Sequence, residues 1–476
     1  MSVKYGNENE KTSRLAQWGL NEETINKLGE RLREYHERYR YWMKTKTRDT
    51  SEYGYHYLSG LLRMESDRHI NGIARVAKIP EQNLQQFITD SPWLGENLIS
   101  VLQQDIGCLA HYQQGSVLIA DESAEEKAGA NSAGSSRQHN GRLGKVEMSQ
   151  VGVFLALAKE GYRTWIDGEL YLPEKWFSQA YAPRRKQLAI PNDREFQTKI
   201  QLVLVMVKRV LANGVSFVAI DCDSLYGRSG WLREELDHLQ VEYYADIPHN
   251  TTLYLEKPQV IKEQKRKNIQ ITVIGMQTTP AKLVDELPFT EITIRPHERG
   301  YLTAQFARQR VWTVREDGAC RQEWLLIRRD KGKLLGYSLS NTTPDTDLWT
   351  MAERKSQRYF IERANQDAKS ELGWDEFQAQ KYPAWIHHLA LTIMASGFIT
   401  ETLLDWAENH PRDPALLAEY ETDVLPNLSI VNVRALLRAV LPLPQLSPIE
   451  AAELVVKHLD NRTRSRRSRL RKACSP

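Results

Sequence analysis

From residue 116 the chain changes from helical patterning to short apolar strands that end in acids, and this switch constrains the fold most. SVLIAD (116–121) is an apolar strand closed by Asp121. The polar, Gly- and Ser-rich stretch that follows, up to about 149, has the composition of a loop. VGVFLALA (151–158) and YRTWIDGELYL (162–172) read as two further strands. REFQTKIQLVLVMVKRVLAN (194–213) has the spacing of an amphipathic helix closed by Gly214. VSFVAID (215–221) is again a strand, SGWLREELDHLQ (229–240) a helix and VEYYADI (241–247) a strand. Ahead of all this, residues 20–105 place apolar and aromatic side chains at three- and four-residue spacing, the mark of helices.

Three strands, helix, strand, helix, strand is the element order of a ribonuclease-H-like α/β domain, although other α/β folds share it. Residues 248–348 interrupt the order with strand-like pieces such as IQITVIG and EWLLIRR, which predicts a mostly β insertion. One helix is expected over 349–372, stopped by Gly373, and a rather apolar one over 384–409. A length of 476 residues suits about three domains. The expected division is a helical region (1–110), a catalytic core in two parts (111–247 and 349–410), the β-rich insertion (248–348) and a helical C-terminal region (411–476). Within the first region, HINGIARVAKIPEQNLQQFI reads as helix, turn, helix; with no basic face visible, a DNA reader and a plain bundle remain equal readings.

Three acids stand where such a fold could gather them: Asp121 at a strand end, Asp223 just past another, and Glu362 in the helix after the insertion. Carboxylates at adjacent strand ends, with a third from a packed helix, suit Mg²⁺ or Mn²⁺, and two such ions can serve phosphoryl transfer. Arg358, Glu362 and Lys369, spaced by four and seven, fall within about 60° of one another on a helix, a face fit for a metal-bound phosphodiester. On an arbitrary helix the same face would be merely solvated, so context has to decide.

That context is a resemblance. VLIAD, the RQHNGRLGK stretch, ELYLP and DSLYG (223–227) follow one another as in the DDE transposases of bacterial insertion sequences. Residues 355–369 resemble that family's signature Y-(2)-R-(3)-E-(6)-K, with Lys355 in the tyrosine position and Tyr359 nearby. The similarity runs over about 55–400. It implies a ribonuclease-H-like core with a β insertion, and a catalytic, metal-binding triad of Asp121, Asp223 and Glu362. Asp221 is the rival for the second place and Glu371 the weaker rival for the third. It also implies two Mg²⁺ or Mn²⁺ ions, and DNA contacts from Arg358, Lys369 and Lys355, extended by Lys145 and Arg137 with Lys127 and Arg142. The implied partners are double-stranded DNA, as element ends and as target, and a second copy of the chain bridging two ends. The implied chemistry is cleavage of element ends followed by attack of the freed 3′-hydroxyl on target DNA. A non-catalytic DNA-binding regulator and a nuclease that cuts without joining are the alternatives.

Composition adds little to this. Net charge is only +3, but after Asp460 the tail carries seven Arg or Lys and no acid, which suits phosphate contacts or simply a solvated end. Four cysteines without paired spacing predict neither zinc nor disulfides. The polar start and the shortness of LALTIMASGFI (389–399) predict neither a signal peptide nor a membrane span, and hence a cytoplasmic protein. His387 and His388, in an apolar helix, read as structural.

Overall fold

A computed structural model describes residues 14–140, 144–265, 268–297, 300–330, 333–444 and 447–473. Apolar spacing sets the N-terminal helices: α1 (Leu28–Tyr39), α2 (Ser51–Arg63), α3 (Ile70–Val76), α4 (Glu81–Thr89) and α5 (Gly95–Gly107). In α1 the buried residues Leu28, Leu32, Tyr35 and Tyr39 form one stripe. Helices α3 and α4 do form a helix–turn–helix pair, through Lys78 at φ 54°. The outer face of α4 carries the amides Gln82, Asn83, Gln85 and Gln86 and no cation.

The core sheet follows: β1 (Val117–Glu126), β2 (Ser136–Asn140), β3 (Lys145–Lys159), β4 (Tyr162–Tyr171), then α6 (Lys199–Ala212), β5 (Ala219–Cys222), α7 (Gly230–His238) and β6 (Tyr243–Asp246). β3 pairs antiparallel with β1, β2 and β4, whereas β1, β5 and β6 run parallel. Parallel neighbours need long crossovers, which α6 and α7 supply. The expected start of α6 at 194 moves to 199, because Thr198 and Gln201 form a reciprocal capping box there. Most of the expected loop after Asp121 is strand instead. β1 continues to Glu126, and SRQHN pairs with KVEMS as the hairpin β2–β3. The glycines and serines between are tied down: the Gln150 side chain donates to Ala133 O at 2.6 Å, and the Ala133 N–H to Gln380 O at 2.8 Å.

The insertion comprises β7 (Leu253–Tyr254), β8 (Gln259–Lys265), β9 (Asn268–Ile274), β10 (Gln277–Thr278), β11 (Thr290–His297), β12 (Gly300–Val314), β13 (Cys320–Asp330) and β14 (Lys333–Ser340). It extends the core sheet rather than standing beside it. β14 pairs antiparallel with β6, so that among the described residues one sheet has 12 strands and only β8–β9 forms a separate hairpin. Glu323 of β13, almost fully buried, seals the junction by accepting from Arg233 Nε (3.0 Å) and Tyr243 Oη (2.6 Å) of the core. A buried charge is tolerated when it is paired in this way.

Five helices of nine residues or more follow among the described residues: α8 (Leu348–Ser356), α9 (Tyr359–Ser370), α10 (Tyr382–Asn409), α11 (Ile430–Val440) and α12 (Pro448–Ala473). The single helix expected over 349–372 is therefore broken at Gln357–Arg358. The break lets α8 lie on β5, β11 and β12 while α9 lies on β1, β3 and β4. α10, the apolar helix, is buried along most of its length against α2, α5 and β4. His387 stacks on Trp93 at 3.8 Å and His388 on Phe377 at 4.4 Å, both as packing residues. No described helix is long and apolar enough to cross a membrane.

Candidate active site

Strand register builds the site. β1 and β5 pair in parallel with Ile119 beside Asp221 and Ala120 beside Cys222, so one residue further on Asp121 meets Asp223. β6 continues the row: Cys222 pairs with Ala245, which brings Asp246 next. Because side chains alternate along a strand, these three aspartates share one face at the C-terminal ends of three parallel strands. Ligands commonly bind at such ends in α/β sheets.

The segment DSLYG holds this edge together. Asp223 caps a helical turn (Ser224–Gly227) by accepting the Leu225 N–H at 2.8 Å. Tyr226 Oη donates to Glu122 Oε2 at 2.7 Å, and Lys199 pairs with the other Glu122 oxygen at 3.0 Å. The turn is thereby bolted to the residue after Asp121. Gly227 is required because a Cβ there would lie 2.1 Å from Asp246 O.

Asp121 accepts the Glu122 N–H at 2.9 Å, and among the described residues neither Asp121 nor Asp223 forms an ion pair. Burial, then the negative charges of Glu122 and Asp223, push the Asp121 carboxyl up to about 7, against a weaker pull from Arg358. Burial and Glu122 raise Asp223 in the same direction. Two hard-oxygen ligands side by side, with no cation paired to either, fit a divalent metal.

Asp221 is placed differently. It is fully buried, its Oδ1 accepts from Lys355 Nζ at 2.7 Å, and its Oδ2 has no partner. The same Lys355 ammonium lies 2.9 Å from Asp246 Oδ1 and is only 10% exposed. Asp221 is thus sealed into an internal ion pair, whereas Asp223 sits just past the end of the strand. Lys355, expected as a DNA contact, is placed here between Asp221 and Asp246. In this conformation its charge is spent inside the protein, tying α8 to β5 and β6.

Arg358, at the break between α8 and α9, lies 3.3 Å from Asp246 Oδ2 and 3.6 Å from Glu362 Oε1. Glu362 remains 61% exposed on the outer face of α9. Among the described residues, no three His, Cys, Asp or Glu stand close enough together to hold a metal ion. Asp121 and Asp223 are therefore neighbours here, but Glu362 has not joined them. Glu371, the weaker rival, is ion-paired with Arg434 behind α9.

Lys369, two turns beyond Glu362, pairs with Glu125 of β1 at 2.8 Å and is 14% exposed. Arg137 is exposed on β2, and Lys145 is 62% exposed at the start of β3, 3.6 Å from Glu147. Lys127 donates to Phe377 O at 3.1 Å and Arg142 lies outside the described residues. Trp312 and Trp324 of the insertion are only half-buried, and Trp324 lies under Arg308 at 4.5 Å. Sequence reasoning missed Asp246; its signal is that YYAD ends in an acid just as VLIAD does.

Residues 43–270 match the family described as DDE superfamily endonuclease. The chain is 25% identical over 323 residues, 67% of its length and 75% of the relative's, to a probable transposase for insertion sequence element IS701 from Microchaete diplosiphon. The matched segment spans β1 through β6, including both strand-end aspartates, so over these stretches the chain is similar to DDE superfamily endonucleases and to an insertion-sequence transposase.

Proposed function

We propose that the chain cuts the ends of its own element and joins the freed 3′-hydroxyls to target DNA, with Asp121, Asp223 and Glu362 as the metal-binding triad. The observation that carries this reading is the pair Asp121 and Asp223: in register on adjacent parallel strands, without an ion pair among the described residues, and both raised by burial and by the charge of Glu122. These two carboxylates, joined by Glu362, would hold Mg²⁺ or Mn²⁺. Two such ions supply activation of the attacking oxygen and stabilisation of the leaving one.

The chain's own residues do the rest. Glu362 has to leave Arg358 to complete the triad, and Arg358, still held at its Nε by Asp246, then has its terminal nitrogens available for a phosphate oxygen. Lys369 orients the same strand from the β1 side, and Arg137 and Lys145 extend the grip along the β2–β3 hairpin. End cleavage and joining are both in-line displacements at phosphorus, so one site serves both. In this reading the core is 111–247 with 349–410, interrupted by 248–348. Residues 1–110 and the basic tail of 411–476 add DNA contacts, and two copies bridge the two ends.

The test uses labelled element-end DNA, Mg²⁺ and a target plasmid. Joined product is expected. Cut ends alone would make the protein a nuclease, and shifted but intact DNA would make it a binding regulator. Asp121→Asn, Asp223→Asn and Glu362→Gln should each abolish both steps while DNA is still bound.

A further inference from the structure

On the side of α9 away from β1 lies a cavity of about 300 Å³ whose charge is unbalanced. Three arginines line it: Arg163 from β4, Arg295 from β11 and Arg363 from α9. Asp367 is the one acid among the lining residues; it pairs with Arg163 at 2.5 Å. Among the described residues Arg363 is hydrogen-bonded only to the Gln366 amide, at 2.6 Å. Arg295 has no hydrogen bond or ion pair among the described residues, and its Nε is buried without a partner. Its guanidinium instead lies over the rings of Phe360 (4.5 Å) and Tyr359 (5.0 Å). Burial and the nearby positive charges of Arg163 and Arg328 lower its affinity for its proton. Ser429, which caps the eleven-residue helix α11, also lines the cavity and directs the positive end of that helix toward it.

A half-buried guanidinium with an enclosed, unpartnered Nε and no anion is costly, and two further arginines in the same cavity add repulsion. An arrangement of this kind is stabilised by a bound anion, and arginine forks match phosphate oxygens. We infer that this cavity is a subsite for one backbone phosphate of the DNA strand that crosses α9, held by Arg295 and Arg363 with Tyr359 as its aromatic wall. The inference rests on the transposase reading and deepens it. Glu362 precedes Arg363 directly, so the helix that carries the third acid also carries the phosphate grip. A strand held there is fixed relative to Glu362.

The experiment is the salt dependence of binding between the full chain and a fluorescein-labelled DNA duplex, read by anisotropy. Each phosphate neutralised contributes about 0.9 to the slope of log K against log salt. Arg295→Gln with Arg363→Gln should therefore lower the slope by about 0.9, while Arg295→Lys with Arg363→Lys keeps most of it. If the double Gln variant does not fold, Arg363→Gln alone, at a side chain with one amide partner, must still lower the slope. An unchanged slope in a folded variant overturns the subsite, while DNA cutting by the parent chain would leave the transposase reading standing. Loss in the Gln variant of a melting-temperature rise caused by inorganic phosphate, with the DNA slope unchanged, identifies a free-anion site and also overturns it. A parent chain that binds no DNA removes both readings.

Discussion

Replacing Lys355 with Met tests the internal ion cluster beneath the candidate site. In the parent protein this ammonium serves Asp221 at 2.7 Å and Asp246 at 2.9 Å. Asp246 is 21% exposed and keeps Ser338 and Arg358, so it retains partners after the change. Asp221 has no other hydrogen-bond or ion-pair partner among the described residues: it is fully buried and its second oxygen is already unpartnered. Removing one member of a buried pair costs about 3–5 kcal/mol, most of it from the charge left behind. Adding Asp221→Asn to Lys355→Met removes that charge and should recover more than half of the loss. The assay is urea unfolding of the parent, both single variants and the double variant, analysed as a cycle. A coupling near zero, with the double variant as unstable as the sum of the singles, would refute the claim that Lys355 and Asp221 form a pair.

Three further outcomes follow from the geometry. Gly227→Ala should cost about 1–3 kcal/mol and abolish DNA cleavage, because a Cβ 2.1 Å from a backbone oxygen must push the Asp223 turn off β6; urea unfolding and a nicking assay read both. Asp223→Asn should abolish nicking, whereas Asp221→Asn, which acts only through Lys355, should cost about 10–100-fold. Burial, opposed by a hydrogen bond to the Trp374 carbonyl oxygen, lowers the His388 pKa from 6.5 to about 3. The unfolded chain therefore takes up a proton first as pH falls. This contribution is complete above pH 6.5 and is lost from there down toward 3, by about 1.4 kcal/mol per pH unit. Stability of the parent should accordingly fall more between pH 7 and 5 than that of His388→Asn, measured in the same buffers.

Much of the core was legible because its signals are local. VLIAD and FVAID are apolar runs that end in acids, and their burial as neighbouring strands follows from that composition. Register is not local, so the pairing of Asp121 with Asp223 and the approach of Asp246 came only with the structure. The same holds for the β14–β6 pairing, which fuses the insertion to the core sheet across 92 residues between Ser338 and Asp246. The break at Gln357–Arg358 was hidden because the helical spacing continues through it with no Gly or Pro to mark it. The hairpin β2–β3 was hidden by the opposite effect: the Gly- and Ser-rich composition masked a short alternating pattern. Lys355 occupies the signature's tyrosine position, and nothing in helical spacing distinguishes a buried cation from an exposed one.

Anomalous scattering from Mn²⁺ in crystals of the protein bound to element-end DNA tests the metal triad most directly. The account predicts metal density between Asp121 and Asp223, with Glu362 turned away from Arg358 to complete the coordination. Density elsewhere, or on those aspartates with Glu362 still paired to Arg358 and another acid in its place, would contradict it.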